Sequence, residues 1–422
     1  MDYGEESLKL HRSLAGKISV VPKGKVNYDN LSLYYTPGVA AVSKRIAEQP
    51  YEVFNLTWRG NTVAVISDGT RVLGLGNVGP EAALPVMEGK ALLFKVFGGV
   101  DAVPLVVRSK SEDELVDFCR AVAPTFGGIN LEDIESPKCF YVLERLRDIL
   151  DIPVWHDDQQ GTATVILAGL LGALELTGRD LKNSRIVLVG MGAANTAVFR
   201  LLLKAGVSPS NILAVDEKGI LSPQRLEEFE ERDPRRAVCK LTNREGKTGH
   251  IPQALEDADV CIALSRPGPG VIEPSWIRKM SASPIVFACA NPVPEILPEE
   301  TLNAGAAVVA TGRSDFPNQL NNVLVFPAMF RGVLDVRAKK ITDGMCLAAA
   351  NALYSYARTK GLSTGYIIPR LDEFEALIEE AVAVALEAVR EGVARNNNNE
   401  EAIRKIIKDN ILRSQGVLGK IV

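Results

Sequence analysis

The sequence contains few of the residues from which zinc centres and disulfide frameworks are built. Of its 422 residues only three are histidines (His11, His156 and His250), and its six cysteines are scattered without a CxxC pair. Isolated cysteines of this kind predict reduced, mostly buried thiols and a cytoplasmic location. A metal site in this chain is therefore expected among oxygen ligands, which favour Mg²⁺ or Mn²⁺.

The chain also lacks an excess of positive charge and an apolar run of membrane length. Its formal net charge is -4, whereas nucleic-acid binding proteins usually carry a basic excess. The most apolar long run, residues 162–177, includes Glu175 and is too short to span a bilayer comfortably. The first twelve residues are charged and lack the apolar stretch of a secretory signal. We therefore expect neither nucleic acid nor a membrane as a partner, but small molecules or other copies of the same chain.

The length of the chain predicts two domains, because it exceeds what one hydrophobic core usually organises. In the first part, residues 63–66 and 103–107 are β-branched apolar runs that predict buried strands, and residues 112–122 have the apolar spacing of a helix. In the second part, a predicted helix over residues 162–176 precedes alternating strands and helices. The predicted strands cover residues 185–189, 211–215, 260–264, 285–290 and 306–310. This order is typical of a parallel, doubly wound sheet.

The predicted fold class is therefore α/β. We expect an N-terminal α/β domain over residues 1–158, a Rossmann-type doubly wound domain over residues 159–390, and a C-terminal helical tail over residues 391–422. Residues 371–395 have amphipathic spacing, four asparagines at 396–399 interrupt the pattern, and a shorter helix is predicted over residues 400–411.

A glycine-rich turn follows the predicted strand that ends at residue 189. Such a turn lets the backbone approach a pyrophosphate closely, at a helix N-terminus that favours negative charge. At the end of the next strand, the carboxylate of Asp216 can accept hydrogen bonds from ribose hydroxyls. The pattern predicts an NAD or NADP site with contacts from Gly190, Gly192, Ala193, Ala194, Asn195 and Asp216.

Features of this segment leave alternatives open. Asn195 occupies the position where the dinucleotide fingerprint normally has Gly or Ala, and a glycine-rich turn can also simply connect a strand to a helix. The charge of Asp216 would repel a 2′-phosphate, which favours NAD. Lys218 is close enough in sequence to offset that charge, so the choice between NAD and NADP stays open.

Two acidic pairs lie among apolar residues of the first domain. Glu132 and Asp133 interrupt one apolar segment, and Asp157 and Asp158 end a short apolar strand. Buried adjacent acids repel one another unless a cation or a proton intervenes. Each acid alone could instead cap a helix or pair with an arginine, and Asp158 does precede a predicted helix. As a set, just before the dinucleotide turn, the four acids predict a divalent metal site.

Beyond these features, the chain resembles a malic enzyme of the short bacterial and archaeal type. The matching segments run in order from near the N-terminus to about residue 330 and therefore cover most of the chain. They are residues 34–40 (YYTPGVA), 67–76 (SDGTRVLGLG), 87–91 (MEGKA), 132–133 (ED), 156–159 (HDDQ), 291–292 (NP) and 318–322 (NQLNN).

The resemblance implies roles for individual residues. Glu132, Asp133 and Asp158 match the metal ligands of the family. Lys90 matches the general base that takes the proton from the malate hydroxyl, which requires a lowered pKa. Tyr35 matches the acid that protonates C3 of the enolpyruvate left after CO₂ departs. The remaining matches are Asp157, a carboxylate that tunes the base or the metal; Arg71, which binds a substrate carboxylate; and Asn291, Asn321 and Asn322, which lie near the substrate and the nicotinamide.

The resemblance thus implies metal-dependent oxidative decarboxylation of (S)-malate to pyruvate and CO₂, with reduction of NAD or NADP. Two enzymatic alternatives stay open: a malolactic reaction with bound NAD that yields lactate, and a metal-dependent oxaloacetate decarboxylase. A non-enzymatic dinucleotide sensor would not need the carboxylates. The family and the amphipathic flanking helices favour a homodimer or a larger homo-oligomer. Gln160 departs from the family, since several members have His there, and Gln hydrogen-bonds without titrating.

Overall fold

A computed structural model describes residues 3–72 and 74–421, and side chains as far as residue 416. Leu73, within the malic-enzyme-like segment 67–76, lies outside the described residues. The strands are β1 (Thr62–Ser67), β2 (Asp101–Val106), β3 (Gly128–Leu131), β4 (Val154–His156), β5 (Ile186–Val189), β6 (Ile212–Asp216), β7 (Gly219–Ile220), β8 (Val260–Ala263), β9 (Ile285–Ala288) and β10 (Val308–Thr311).

Helices surround these strands in both halves of the chain. They are α1 (Tyr3–Leu14), α2 (Leu31–Tyr34), α3 (Val39–Glu48), α4 (Val53–Leu56), α5 (Pro80–Gly98), α6 (Glu112–Val122), α7 (Lys138–Ile149), α8 (Thr162–Leu176), α9 (Ala193–Lys204), α10 (Arg235–Leu241), α11 (Ile251–Leu255), α12 (Pro274–Ile277), α13 (Pro298–Asn303), α14 (Phe326–Asp335), α15 (Asp343–Lys360), α16 (Phe374–Arg390) and α17 (Glu400–Ile421).

The first sheet has the strand order β2-β1-β3-β4, and all its strands are parallel. Parallel strands are hydrophobic on both faces because helices cover both sides, and every residue of β1 is buried. In the register of β3 with β4, Leu131 lies opposite His156. The residues that follow, Glu132 and Asp157, therefore emerge side by side at the carboxyl edge of the sheet.

The second sheet has the order β10-β9-β8-β5-β6-β7. Its first five strands are parallel, and only the two-residue strand β7 runs antiparallel, against β6. The chain proceeds from β5 to β6 on one side and places β8 on the other side of β5. The crevice beyond the ends of β5 and β8 is therefore the topological switch point, where doubly wound sheets bind their ligands.

One hydrophobic core joins parts of both sheets with the C-terminal helices. Phe94 of α5 packs against Phe326 and Phe330 of α14, with ring centroids 4.6 Å and 5.2 Å apart. The C-terminal helix α17 returns to the same helix α5, where the hydroxyl of Ser414 donates to the carbonyl of Lys95. Helices from the end of the chain thus hold the first sheet against the second.

The predicted fold class is confirmed, and each predicted strand is present within a few residues of its expected bounds. The helix predicted over residues 162–176 has those limits in the structure. The helix predicted over residues 400–411 is too short, because α17 continues to Ile421. The domain boundary at 158/159 stays a prediction, although the two sheets do lie on either side of it.

The residues before β1 differ from the rest of the chain in their burial. From residue 3 to residue 61 no residue is buried, and this stretch contains sixteen of the twenty-five exposed large hydrophobic side chains of the described residues. The six cysteines, by contrast, are all free and buried, as predicted. Among the described helices, none combines the length and apolar character needed to cross a membrane.

Candidate active site

The carboxyl edges of the two sheets face one cleft of about 1060 Å³. Most of the residues singled out by the sequence line this active-site cleft. They are Arg71, Lys90, Glu132, Asp133 and Asp158 from the first part of the chain, and Gly192, Ala193, Ala194, Asn291, Asn321 and Asn322 from the second. A small molecule in the cleft can therefore touch both sets at once.

Three carboxylates form a compact group at the first sheet. Glu132, Asp133 and Asp158 each place one oxygen within 4.8 Å of the others. Glu132 and Asp133 are almost fully buried, whereas the side chain of Asp158 is 35% exposed toward the cleft. Asp133 adopts a left-handed backbone (φ 53°), and its amide donates to Asp158 Oδ2 at 3.1 Å. The local backbone is thus bent to bring the two segments together.

The carboxylates of this group repel one another, which favours the binding of a cation. Burial raises the pKa of Glu132 well above its usual value, and the charges of Asp157, Asp158 and Asp133 raise it further, against the opposing effect of Lys90. A divalent ion with oxygen ligands would relieve that repulsion, and an all-carboxylate donor set suits Mg²⁺ or Mn²⁺. The residues present therefore fit the predicted metal.

Lys90 is buried beside the carboxylates, on α5. Its Nζ lies 2.6 Å from Asp157 Oδ2 and 3.0 Å from Glu132 Oε1, and 4.3 Å from the centre of the Phe326 ring. Burial by itself lowers the pKa of Lys90, but Asp157 and Glu132 raise it more, so the net pKa is raised. The surrounding residues by themselves therefore do not give Lys90 the lowered pKa expected of a general base.

Asp157 is held in place from three sides. The indole of Trp155 donates to Asp157 Oδ1 at 2.9 Å, and Lys90 binds the other oxygen. Gly161 lies directly beneath, since a Cβ at that position would come within 2.1 Å of Asp157 Oδ1. Asp157 and Gly161 are the first and last residues of a single π-helical turn, Asp157–Gly161, between β4 and α8. The turn fixes where Lys90 points.

The glycine-rich turn lies across the cleft. Gly190 has φ 85°, and a Cβ there would lie 2.7 Å from the Cβ of Ser265, so only glycine fits. Gly192 precedes α9 and faces open space, which leaves room for a pyrophosphate at the helix N-terminus. Asn195 is buried, and its amide donates to the carbonyls of Val189 and Gly190 at 2.9 Å and 2.8 Å. Asn195 thus holds the turn from behind.

Sequence models of known protein families match the parts of the chain on both sides of the cleft. The sequence model of the malic enzyme NAD binding domain matches residues 159–391, which is more than half of the chain. The chain belongs to the malic enzyme family. The model of the malic enzyme N-terminal domain matches residues 16–112 and 108–147. The predicted family, enzyme class and reaction, oxidative decarboxylation of malate, are thereby confirmed.

Relatives within the family carry different cofactor names. The chain is 46% identical to a bifunctional malic/malolactic enzyme of Bacillus subtilis, covering 96% of this chain and 97% of the relative. It is 48% identical to an NAD-dependent malic enzyme of Geobacillus stearothermophilus (91% and 79%), and 45% identical to an NADP-dependent malic enzyme of Rhizobium meliloti (93% and 53%). The crystal structure of a malic enzyme from Pyrococcus horikoshii superimposes with a TM-score of 0.93 at 50% identity, covering 99% and 98%.

Asp216, one of the predicted cofactor residues, forms an ion pair that the sequence did not predict. Arg225 donates to both of its oxygens, at 2.9 Å and 2.8 Å, and the amide of Lys218 donates to one of them. The Asp216 side chain is only 3% exposed. Its charge is therefore balanced within the chain, and Arg225, not Lys218, provides the balance, because Lys218 Nζ pairs with Glu228.

Tyr35, the predicted acid of the malic enzyme reaction, is not among the residues that line the cleft. It ends the short helix α2, and it is 69% exposed. The neighbouring Tyr34 is also exposed. Within one chain, the structure therefore brings together the predicted metal ligands, base and dinucleotide turn, but not the predicted acid.

Several residues around the malic enzyme site are not indicated by motif reasoning. Trp155 and Phe326 contact Asp157 and Lys90, and the amide of Asn130 donates to Glu132 Oε2 at 2.8 Å. Glu295 accepts from the amides of Ser265 and Ala290 at 2.7 Å and 3.0 Å. For Asn130 a signal does exist, since a polar residue inside a buried strand two positions before a carboxylate needs a partner.

Proposed function

We propose that this chain oxidises and decarboxylates malate through Lys90 and a divalent metal held by Glu132, Asp133 and Asp158. The observation that supports the proposal is the single cleft in which this lysine and these carboxylates face the glycine-rich turn. Such a reaction requires that malate as the hydride donor, Lys90 as the proton acceptor and the metal as the electrophile lie within one small volume.

The proposed metal ligands contribute oxygen atoms only. When bound there, Mg²⁺ or Mn²⁺ supplies Lewis acidity that draws electron density from the substrate carbonyl as CO₂ leaves. Asn130 orients Glu132 by donating to the oxygen that does not contact Lys90. Orienting contacts of this kind usually matter for affinity nearly as much as the ligands themselves.

In the proposed mechanism, Lys90 takes the proton of the C2 hydroxyl as hydride passes to the nicotinamide. Three carboxylates raise the pKa of Lys90, namely Asp157, Glu132 and Asp158. A cation held by Glu132 and Asp158 would weaken two of these three influences and would thereby lower the pKa of Lys90. Asp157, fixed by Trp155, keeps the Lys90 nitrogen in position.

Polar side chains on both walls are suited to hold the substrate. Arg71 lines the cleft, its backbone amide donates to the carbonyl of Asp133, and its planar guanidinium is of the kind that binds carboxylates well. Asn291, Asn321 and Asn322 line the opposite wall. The side-chain oxygen of Asn321, Oδ1, already accepts from the backbone amide of Val323. The NH₂ group of Asn321 is therefore left as the donor toward the cleft.

For the cofactor, we propose that the chain accepts both NAD and NADP. The ion pair of Asp216 with Arg225 removes the repulsion of a 2′-phosphate on which the preference for NAD was based. Values of kcat/KM for the two cofactors within about tenfold of each other are the expected result, a difference of ~1.4 kcal/mol or less. A preference of a thousandfold would contradict it.

We further propose that the active enzyme is a homodimer and that Tyr35 acts in the cleft of the other protomer. Tyr35 is one of the sixteen exposed large hydrophobic side chains that the structure describes before β1. An exposed apolar surface of this extent normally marks an interface. A symmetric dimer covers such a surface on both chains at once.

Mixing two inactive variants tests this arrangement. Lys90→Ala and Tyr35→Phe are each expected to be inactive alone. If Tyr35 acts across the interface, a heterodimer contains one intact site, and random reassortment restores about one quarter of the wild-type activity. If both residues act within one chain, every mixed site lacks one of them and no activity returns. Light scattering of the unmixed proteins provides the oligomeric state.

The malolactic reaction is the second candidate, because one relative of nearly the same length is named for both activities. A coupled assay separates the candidates: malate, Mn²⁺ and either cofactor should give pyruvate and NAD(P)H in equal amounts, and a chelator should abolish both. Lactate without net NAD(P)H would identify the malolactic reaction. Oxaloacetate decarboxylation without malate turnover would identify the decarboxylase.

A cytoplasmic location is proposed as well, because all six cysteines are buried free thiols. Burial raises the pKa of several of them, for example to about 12 for Cys346, which keeps these thiols protonated and unreactive. Fractionation of cells that express the full chain should place it with cytoplasmic markers.

A further inference from the structure

A second, much smaller cavity lies behind the π-helical turn, away from the active-site cleft. Its volume is about 40 Å³, and it is enclosed by α7, α8, α9, α15 and the turn itself. Its polar lining consists of Arg147, Arg200, Gln159, Gln160 and Asp343. We call it the Arg147 cavity. The dinucleotide turn and the three metal-binding carboxylates are not among its lining residues.

The polar atoms without partners around this cavity are all donors. Among the residues that the structure describes, Arg147 Nε and Gln159 Nε2 are buried and have no hydrogen-bond partner. Gln159 is only 2% exposed. Gln160 Nε2 has no partner at normal distance either, although the weakly accepting thiol of Cys346 is close by. Unsatisfied buried donors are costly, so a cavity lined by several of them implies a ligand that accepts hydrogen bonds.

The orientation of Gln160 explains why its NH₂ group faces this cavity. Gln160 Oε1 accepts from the backbone amide of His156 at 3.1 Å, which turns the other end of the side chain away from β4. Because an amide does not titrate, Gln160 offers this cavity a permanent donor.

The charge balance also favours an anion. Arg147 makes no ion pair within 4.0 Å in the described part of the chain, and its one hydrogen bond goes to the carbonyl of Ile341 at 3.2 Å. Arg200 is 3.4 Å from Glu144, and Asp343 is exposed at the solvent side. Burial lowers the pKa of Arg147 more than Cys346 and Asp343 raise it. Asp343 therefore offsets the charge of Arg147 only from a distance, and a guanidinium taken out of water without a counter-ion in direct contact is unfavourable.

We propose that the Arg147 cavity binds a monovalent anion of chloride size through Arg147, Gln159 and Gln160. The volume admits a single halide or one to two water molecules. A halide accepts from all three side chains, whereas a water molecule would also need acceptors for its own two hydrogens. The inference is independent of the reaction that takes place in the cleft.

The position of the site gives the anion a structural effect. Gln159 and Gln160 belong to the same π-helical turn as Asp157 and Asp158. An anion that fixes the two amides therefore stiffens the turn from behind, which should be visible as thermal stabilisation of the metal-free chain.

Bromide in place of chloride tests occupancy directly. Crystals of the full chain grown in sodium bromide should show an anomalous peak within hydrogen-bond distance of Arg147 Nε and Gln159 Nε2. Ordered water without an anomalous peak at that position would overturn the proposal.

Thermal unfolding in the presence of EDTA tests the effect in solution. At equal ionic strength, the Tm in about 100 mM sodium chloride should be higher by about 1 °C or more than the Tm in sodium gluconate. Arg147→Gln should lose this difference, while Arg145→Gln, an exposed arginine of the same helix, should keep it. A chloride effect that persists in Arg147→Gln, or a bromide peak without any effect on Tm, would show binding at crystal concentration only and would also overturn the proposal. If Arg147→Gln does not fold, the bromide crystal and the chloride effect on the Tm of the wild type still decide together.

Discussion

Lys90 is buried between two carboxylates, and no feature of its local sequence indicates this. Its segment on α5 has no neighbouring acid that would form a pair within the helix, because its partners Asp157 and Glu132 come from the ends of β4 and β3. Only the resemblance to malic enzymes singled it out. The carboxylates, by contrast, were predictable from local sequence, since adjacent acids in apolar surroundings need a counter-charge.

Glu380 is a buried carboxyl outside the site. It lies on α16, is 0% exposed, and neither of its oxygens has a hydrogen-bond partner within the described residues. Burial raises its pKa well above the usual value, so the folded chain holds this proton where the unfolded chain has released it. Stability should therefore fall as the pH rises above about 4.3, by up to ~1.4 kcal/mol per pH unit until the folded pKa is reached.

Glu380→Gln removes the ionisation and keeps the shape of the side chain. Denaturant unfolding at pH 5 and pH 8 should show a smaller loss of stability for this variant than for the wild type. Glu375→Gln, an exposed acid of the same helix, should behave like the wild type. An unchanged pH dependence in Glu380→Gln would contradict the assignment.

At the scale of elements, the π-helical turn between β4 and α8 is the part on which the site depends most. Local sequence indicated a strand followed by a helix there, but not the extra residue in the turn, since the turn is stabilised by long-range contacts: Trp155 and Lys90 hold Asp157, and Asn322 packs against Gly161. The predicted strands succeeded better because their β-branched runs are buried on both faces.

Gly161→Ala tests the turn. The added methyl would meet Asp157 Oδ1 and displace the carboxylate that orients Lys90, and a shift of about 1 Å in a catalytic group costs on the order of a hundredfold in kcat. Steady-state kinetics should show that loss. Gly365→Ala, where a Cβ meets nothing within 4 Å, should leave kcat unchanged; equal effects of the two substitutions would point to general destabilisation.

The loops after β8 and β9 are a second case in which one buried side chain positions an element. Glu295 joins them by accepting from Ser265 on one loop and from Ala290 on the other. Both of those residues line the cleft. Sequence patterns did not indicate this, because a lone acid in a Pro-rich loop resembles many surface loops.

Glu295→Ala should raise the KM for the dinucleotide about tenfold, the equivalent of one charged hydrogen bond, with a smaller change in kcat. Glu295→Gln keeps one acceptor and should restore part of the affinity. Glu299→Ala, an exposed acid of α13, serves as the control. A fall in kcat at unchanged KM would argue against a role in positioning the cofactor loops.

At the scale of the whole molecule, the order of elements was predictable and the assembly was not. The parallel sheets, the switch point and the cleft follow from alternating strands and helices. The location of Tyr35 does not, because none of residues 3–61 is buried within one chain. The return of α17 onto α5 was also not predictable, since a helix of mixed polarity does not indicate its partner.

The most direct test of the whole account is the Lys90→Ala variant, measured in two ways. Malate oxidation with Mn²⁺ should fall by at least about 10²-fold, since a positioned base contributes about 10²–10⁴-fold. Binding of the reduced cofactor, followed by its fluorescence, should stay within about threefold of the wild type, because the glycine-rich turn lies across the cleft from Lys90 and does not contact it. Loss of turnover with intact binding is the predicted result; full turnover in Lys90→Ala would contradict the proposed mechanism.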